Sequence, residues 1–184
     1  MRHAMLDLET LGTLPGSVIL SIGCVPFELD GRIGHPVFYE NIERKSSAAA
    51  GLKIDPKTVE WWSRQSKEAQ TALLHPAPRP LREVAELFAA WYKTAGVDFL
   101  WGHGASFDPP LWETASVAVG ILAPWKFYNV RDTRTLYALT NFDVRDITKA
   151  HVEHNAIDDA RFQVACVTEA MRRLKPLSGD LFGG

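Results

Sequence analysis

The alternation of apolar and polar positions divides the first quarter of the chain into strands. Residues 3–8 and 18–27 are apolar runs on either side of a turn-rich stretch, and both predict β-strands. Asp30-Gly31 is a hairpin signal, and residues 33–41 predict a third strand that returns antiparallel to the second. The chain is therefore expected to begin with a three-stranded antiparallel meander.

The remainder of the chain alternates between helical and strand patterns. Asp55 before Pro56 is typical of a helix start, and apolar residues at helical spacing indicate further helices. The predicted helices cover residues 56–62, 68–74, 81–96, 107–120, 133–139 and 156–174, and the predicted strands cover residues 97–101 and 127–130. This order predicts an α/β fold in which helices flank a mixed sheet, whose antiparallel meander leads into parallel strands.

The composition is that of an ordinary globular protein. The chain has 184 residues, of which 46% are hydrophobic and 23% are charged. No repeat or linker divides it, so we expect one domain over residues 1–175 and a flexible tail over residues 176–184. The formal net charge of -2 provides no global basic field, so any polyanion must be held locally.

The two cysteines, Cys24 and Cys166, lie among apolar neighbours without a CxxC or Cys/His pattern. We expect both to be buried free thiols of a protein in a reducing compartment. The N-terminus is charged, and no window approaches the ~20 apolar residues that a membrane span needs. These features predict a cytoplasmic protein without a membrane segment.

Two acidic residues are paired on the first predicted strand. Asp7 and Glu9 are two positions apart, so both side chains leave the same face of the strand. Like charges side by side in a half-buried sheet are costly unless a cation neutralises them, and a divalent metal would do so. The alternative is that the strand ends at Leu8, with Glu9 in solvent and Asp7 capping a turn.

Three further residues could join such a site. Asp108 follows a predicted strand and a glycine-rich turn, which would bring it to the end of the sheet, although Asp before Pro-Pro is also a good helix cap. His154 precedes the last predicted helix and Asp159 lies in its first turn, where a surface histidine and a helix-dipole acid are the simpler interpretations. Asp158 is expected to point outward.

Taken together, these residues indicate a metal centre. Asp7, Glu9, Asp108 and Asp159 offer four oxygen donors of the type that Mg²⁺ and Mn²⁺ prefer, and their charge balances two dications. His154 is the kind of group that takes a proton from water near neutral pH. A two-metal site stabilises both the attacking and the leaving oxygens of an in-line phosphoryl displacement.

The same residues form three motifs of a known family. They are, in chain order, Asp7-Leu8-Glu9-Thr10, Phe107-Asp108 after Gly-Ala-Ser, and His154-x-Ala156-x-x-Asp159-Ala160. With these motifs, which extend over nearly the whole chain, the sequence resembles the DEDD exonucleases of the ribonuclease H-like fold, in the DEDDh subgroup. It is most similar to the short, single-domain exoribonuclease branch related to ribonuclease T.

The resemblance implies a 3′-5′ exonuclease that acts on single-stranded ends, RNA more than DNA, and releases nucleoside 5′-monophosphates. Asp7, Glu9, Asp108 and Asp159 would bind two Mg²⁺ or Mn²⁺ ions, and His154 would activate the attacking water. Relatives often form homodimers, and exposed aromatic residues would allow one here. The sequence departs from the family at His103, where asparagine is expected in the glycine-rich turn.

The substrate contacts follow from the resemblance and from aromatic chemistry. The resemblance places Thr10, Leu11 and Gly12 against the terminal nucleotide. Trp61 and Trp62 are about 100° apart on a helix, so one can lie in the core while the other is displayed for base stacking, unless both pack onto the sheet. Phe107 is a further candidate contact, although a place in the core is the simpler interpretation. Arg131 and Arg134 could approach phosphates, although a solvated face is the simpler interpretation.

Two other interpretations start from the same residues. A catalytically silent nucleic-acid-binding module would have the same fold but usually lacks a motif carboxylate, and none is missing here. An exodeoxyribonuclease would have the same catalytic residues with DNA as its main substrate. A dinucleotide-binding oxidoreductase is excluded because no GxGxxG follows a strand.

Overall fold

The computed structural model describes residues 1–148 and 153–174. Its strands are β1 (His3–Thr10), β2 (Ile19–Phe27), β3 (Phe38–Asn41), β4 (Phe99–Gly102) and β5 (Val130–Asp132). Its α-helices are α1 (Arg44–Ala49), α2 (Pro56–Ser63), α3 (Lys67–Ala72), α4 (Leu81–Ala95), α5 (Asp108–Ala118), α6 (Thr133–Thr140) and α7 (Ala156–Arg173). Two short 3-10 helices, Phe127–Asn129 and Val144–Asp146, complete the described elements.

The five strands form one mixed sheet in the order β3-β2-β1-β4-β5. β2 is antiparallel to both β1 and β3, whereas β4 is parallel to β1 and β5 is parallel to β4. The predicted antiparallel meander that leads into parallel strands is therefore confirmed. In this arrangement β1 is the central strand, and Asp7 on β1 pairs with Gly23 on β2.

Helices cover both faces of the sheet, as the alternation in β1 requires. Leu6 and Leu8 belong to the core formed with α4 and α5, which includes Phe88 and Trp112. Met5 belongs to the opposite core, formed with α6 and α7. Asp7 and Glu9 share the face of Met5, so the two acidic side chains leave the sheet on the α7 side. Both cysteines are buried and free, as predicted.

Several predicted boundaries are wrong. The predicted strand over residues 33–41 shortens to β3, because Pro36 has no N–H and Ile33 forms only an isolated bridge with Phe27. Residues 127–129 form a 3-10 helix, and the strand begins only at Val130, which pairs with Leu100 of β4. Helix α1, which follows β3, was not predicted at all.

The helix starts agree better with the sequence. The Asp55 side chain accepts a hydrogen bond from the backbone N–H of Lys57 and caps α2, as predicted from Asp55-Pro56. Within the described residues, no helix combines the length and apolar character needed to cross a bilayer. The predicted tail over residues 176–184 lies outside the described residues.

Candidate active site

The paired carboxylates lie near the C-terminal end of the central strand. β1 keeps its strand geometry through Thr10, and Glu9 is only 7% exposed. The alternative in which the strand ends at Leu8 and Glu9 lies in solvent is therefore wrong. Asp7 and Glu9 instead leave the same face of β1 and point toward the start of α7.

Asp108 lines the same cleft as Asp7 and Glu9, but it is carried by α5 and not by β1. It is the first residue of α5 and is 3% exposed, while Phe107 occupies the cap position without a side-chain hydrogen bond. The interpretation of Asp108 as a helix cap is therefore wrong. Pairing between β1 and β4 ends at Leu6 and Gly102. Beyond that point the backbone N–H of Leu8 hydrogen-bonds the Asp108 carboxylate instead of a neighbouring strand.

The turn before α7 holds the last two motif residues together. His154 precedes the cap residue Asn155 and has a left-handed backbone, with φ of 64°. Its backbone N–H donates to Asp159 Oδ2 at 2.9 Å. Asp158 points away and forms an ion pair with Arg161 at 3.1 Å, as its expected outward position requires. The turn therefore presents His154 and Asp159 to the sheet as one unit.

A glycine on β2 sets how closely this unit approaches the sheet. A Cβ at Gly23 would lie 2.4 Å from the backbone C and O atoms of Ala156 and 2.6 Å from the nitrogen of Ile157. Gly23 also pairs with Asp7 across the strands. The start of α7 therefore rests directly on the sheet beside Asp7, in a space that a side chain would fill.

Substitution of Gly23 is expected to lower activity indirectly, through the position of α7. Gly23→Ala should displace the start of α7, and a shift of about 1 Å at the reacting groups can cost about 10²-fold in rate. We expect a loss of that size in kcat/KM, measured on oligonucleotide hydrolysis, with a fall in melting temperature.

Gly51→Ala is the matched control, because Gly51 has φ of +90° and nothing lies within 4 Å of the added Cβ. This control should lower the melting temperature without lowering activity. Wild-type kcat/KM in Gly23→Ala would contradict the role that we assign to the close contact.

The five predicted catalytic residues line one cleft of about 400 Å³. They are Asp7, Glu9, Asp108, His154 and Asp159. One ligand atom each from Glu9, His154 and Asp159 lies within 4.8 Å of the others. Carboxylate oxygens in this number are the donors that Mg²⁺ and Mn²⁺ prefer, so the side chains present fit the metal centre that the sequence implies.

The electrostatics of the cleft favour a cation. Burial raises the pKa of Asp7 well above its usual value, and the neighbouring carboxylate charges add to the rise. Burial also raises the pKa of Glu9 to about 8 and that of Asp108 to about 7, the latter against hydrogen bonds from backbone N–H groups. Carboxylates in this cleft therefore become fully ionised near neutral pH only when positive charge compensates them.

These shifts predict how the stability of the metal-free protein depends on pH. The folded pKa values of Glu9, about 8, and Asp108, about 7, lie above the unfolded value of ~4. The folded state therefore retains protons that the unfolded state releases, and stability present at low pH is lost as pH rises through about 7 and 8. Without divalent metal, the melting temperature should fall by at least about 5 °C between about pH 5.5 and about pH 8.5.

Added Mg²⁺ should reduce this fall, because bound cations replace the protons in compensating the carboxylates. The fall should also be smaller in Asp108→Asn, which lacks one of the titrating groups. A metal-free melting temperature that rises or stays constant over this pH range would contradict the electrostatics described above.

A second cavity, of about 420 Å³, adjoins the catalytic cleft. The two cavities share Leu8, Glu9 and Phe107. With Phe107, the second cavity is lined by four of the predicted substrate-binding residues, the other three being Thr10, Trp61 and Trp62. Phe107 therefore borders both cavities while it packs against the core on the α5 side.

The two tryptophans have the divided arrangement expected from their spacing. Trp62 is 6% exposed, and its Nε1 donates to the carbonyl oxygen of Thr10 at 2.9 Å. Trp61 is 42% exposed, and its ring centroid lies 4.7 Å from that of His154 in an edge-to-face contact. The alternative in which both rings pack onto the sheet is wrong. Trp61 instead supports the imidazole ring of His154 at the junction of the two cavities.

Leu11 and Gly12, unlike Thr10, line neither the catalytic cleft nor the second cavity. Leu11 is 3% exposed and lines a different cavity, on the α3 side of Trp62. The carbonyl oxygen of Gly12 accepts a hydrogen bond from Thr10 Oγ1 at 2.7 Å. This hydrogen bond holds the Thr10 side chain in place. Contact of Leu11 and Gly12 with a terminal nucleotide stays a prediction.

Two further residues contact or line the cleft and were not among the predicted site residues. Gln163, in α7, donates from Nε2 to Asp7 Oδ1 at 2.7 Å. Arg134, in α6, lines the cleft, whereas Arg131 packs over the ring of Phe99 at 4.5 Å. The four-residue spacing between Asp159 and Gln163 is a signal that could have identified Gln163, because residues so spaced share a helix face.

His103 also lines the cleft, at the position where the family resemblance leads us to expect asparagine. Its Nδ1 lies 3.0 Å from Thr133 Oγ1 at the start of α6. Asp132, the cap residue of α6, accepts a hydrogen bond from the backbone N–H of Ala105 at 2.6 Å. These contacts join the glycine-rich turn to α6 and thereby position Arg134 beside the carboxylates.

Comparison with known proteins agrees with this geometry. The family model described as a 3′-5′ exoribonuclease Rv2179c-like domain matches residues 2–171. No curated protein matches the chain. Similar solved structures include exonuclease I, with a TM-score of 0.69 and 13% identity. They also include E. coli exonuclease I in complex with a dA16 oligonucleotide, with a TM-score of 0.67 and 16% identity.

Each of these two structures matches 94% of this chain, which spans 41% of the exonuclease I chain. At this identity the likeness concerns the fold, and it confirms the predicted ribonuclease H-like architecture. The predicted relation to ribonuclease T in particular stays a prediction. The family model, in contrast, extends over nearly the whole chain and includes all three motifs. The chain belongs to the family of the 3′-5′ exoribonuclease Rv2179c-like domain.

Proposed function

We propose that this protein is a metal-dependent 3′-5′ exonuclease that removes nucleoside 5′-monophosphates from single-stranded ends, with RNA as the preferred substrate. The observation that carries the proposal is the convergence of Asp7, Glu9, Asp108, Asp159 and His154 on one cleft. Strand β1, the start of α5 and the start of α7 each contribute part of this set.

The carboxylates are the groups that would hold two Mg²⁺ or Mn²⁺ ions. When bound there, two such cations supply charge stabilisation to the attacking and leaving oxygens of an in-line displacement. The protein itself contributes the positions of the acids. Asp7 and Glu9 are held by strand pairing, Asp108 by backbone N–H groups, and Asp159 by the His154 backbone.

His154 is the proposed general base. A nitrogen of its imidazole ring would accept the proton of the attacking water, and the proton would leave to solvent after the bond to phosphorus forms. The edge-to-face contact with Trp61 and the backbone bond to Asp159 support the orientation of this ring. His154 therefore combines access to solvent with a defined position at the carboxylates.

The second cavity is the proposed site of the terminal nucleotide. Trp61 and Phe107 offer aromatic surface for a base, which can contribute about 1–3 kcal/mol per stacked base. Lys57 lines the same cavity and can meet a phosphate or ribose oxygen, while Arg134 offers a cation in the catalytic cleft. The phosphodiester backbone of the substrate would therefore pass from the second cavity into the catalytic cleft at Glu9, which lines both.

The preference for RNA rests on the exoribonuclease description of the family. DNA is the second candidate substrate, because exonuclease I, which has a similar fold, was crystallised with DNA oligonucleotides. Digestion of matched, end-labelled RNA and DNA oligomers, with Mg²⁺ and with Mn²⁺, tests the proposal. Stepwise shortening of RNA at a higher kcat/KM than DNA is the expected result.

A circular single strand is the control for end dependence and should resist digestion. Cutting of the circle, or mid-chain products at early times, would identify an endonuclease and contradict the proposal. Binding of the oligomers without hydrolysis under either metal would instead favour the silent binding module with the same fold.

A further inference from the structure

Gln163 is a buried polar residue of α7 that belongs to none of the three motifs. It is 8% exposed, and its Nε2 donates to Asp7 Oδ1 at 2.7 Å. Asp7 lines the same cleft as the other three acidic residues, Glu9, Asp108 and Asp159. Gln163 is therefore bonded to one of the candidate metal ligands.

A gain in the stability of the fold does not explain why residue 163 is a glutamine. Among the described residues, no hydrogen-bond donor meets the buried Gln163 Oε1. A buried polar atom without a partner costs about 1–3 kcal/mol, so an apolar side chain of similar length would suit the core better. The amide group therefore has a stability cost, and its one hydrogen bond reaches the active site.

The helix geometry connects this bond to the candidate metal centre. Asp159 and Gln163 are four residues apart, so they lie on the same face of α7, one turn from each other. The helix thus presents one candidate ligand and, a turn later, a donor to another. An amide is neutral, so it can hold one oxygen of Asp7 without competing with the metal cation for the carboxylate, as lysine or arginine would.

We propose that Gln163 is a positioning residue, which orients the Asp7 carboxylate for divalent-metal binding. The inference rests on the proposed function, because it assumes that Asp7 binds a divalent cation there. The hydrogen bond engages Oδ1 and leaves Oδ2 of Asp7 free of it. Residues that orient metal ligands in this way typically contribute about 10- to 100-fold to metal affinity or activity.

Thermal melting at increasing Mn²⁺ concentration tests the proposal, because a ligand that binds only the folded state raises the melting temperature by mass action. Gln163→Met keeps the length of the side chain and removes the amide. We expect the Mn²⁺ concentration at the midpoint of the shift to rise by about 10- to 100-fold. In metal-free buffer the melting temperature should stay equal or increase, because an unpaired buried oxygen is removed.

Thr168→Val is the matched control on the same helix. The Thr168 hydroxyl donates to the backbone of Val164, away from the cleft. Its removal should leave the Mn²⁺ midpoint unchanged. A lower metal-free melting temperature in Gln163→Met together with an unchanged Mn²⁺ midpoint would assign Gln163 a structural role and overturn the proposal.

A double-mutant cycle tests whether Gln163 acts through Asp7. In an Asp7→Asn background the Gln163→Met substitution should have little further effect on the Mn²⁺ midpoint, because the residue it orients has already lost its charge. Independent, additive effects of the two substitutions would overturn the positioning role.

Hydrolysis assays on the same samples separate this inference from the proposed function. If the Mn²⁺ midpoint depends on both Asp7 and Gln163 but the wild-type protein hydrolyses no oligonucleotide, the result would contradict the exonuclease and support the positioning role. Hydrolysis that persists with an unchanged Mn²⁺ midpoint and unchanged kcat in Gln163→Met would support the exonuclease and overturn the positioning role.

Discussion

Asp108→Asn and Asp7→Asn are each expected to lower kcat/KM on single-stranded oligonucleotides by about 10³-fold or more. Loss of one transition-state hydrogen-bond donor already costs about 10²- to 10³-fold, and here a charged ligand is lost from the metal centre. The asparagine oxygen can still accept the hydrogen bond from Gln163 at position 7. The fold should therefore persist, and side-by-side melting and hydrolysis measurements should show inactive, folded variants.

The same two variants should respond less to metal. Divalent metal is expected to raise the melting temperature of the wild-type protein, and to raise that of the variants much less, because they lack a ligand. Their metal-free melting temperatures should equal or exceed the wild-type value near pH 8, because a buried, mutually repelling charge is removed.

Asp158→Asn is the matched control for these acids. It adjoins Asp159 in the first turn of α7 but pairs with Arg161 outside the cleft. Activity within about threefold of the wild type is expected, because a surface ion pair contributes at most about 1 kcal/mol. An active Asp7→Asn or Asp108→Asn variant, or an equal metal-induced shift in all variants, would refute the assignment of the metal centre.

His154→Ala is expected to lose about 10²- to 10⁴-fold in kcat, the range typical of a positioned general base. Metal should still raise the melting temperature of this variant, because the four carboxylates remain. Added imidazole should restore part of the rate, since a free base can occupy the space beside Trp61. Rates and metal-induced melting shifts measured on the same preparation distinguish these effects.

His103→Asn is the comparison variant, because asparagine is the residue that the family resemblance leads us to expect at this position. His103 is tied to Thr133 of α6, so its substitution should leave the rate within about tenfold of the wild type. His151, the other nearby histidine in the sequence, lies outside the described residues. The base assignment fails if His103→Asn is inactive and His154→Ala is active. Loss of the metal-induced shift in His154→Ala would identify His154 as a ligand instead.

The sequence by itself determined the chemistry of the cleft. Two acidic residues at i and i+2 on a strand must share a face, because the side-chain period of a strand is two. The strand period alone therefore places Asp7 and Glu9 on one face, whatever the tertiary contacts. Asp108 and the segment from His154 to Asp159 could each also be explained as a helix start. Residue type and motif order were therefore needed to identify them as site residues.

The tertiary structure decided between the alternatives that local patterns left open. Glu9 is buried because β2 pairs with β1 at this position and because His154 and Asp159, from the turn before α7 and its first turn, lie against the same face. Asp108 faces the strand because pairing between β1 and β4 ends before Leu8 and frees its N–H. Neither fact follows from local propensity, since both depend on which strands become neighbours.

The same distinction explains the residues and elements that were missed. Gln163 and Asp7 are 156 positions apart, and Gly23 matters only because α7 rests on β2 beside Asp7. Residues 127–129 form a 3-10 helix where a strand was predicted, and β5 begins only at Val130. Periodicity and residue type report how a segment can fold and what its side chains can do. The partners of each segment are set by the packing of the whole chain, which no local pattern contains.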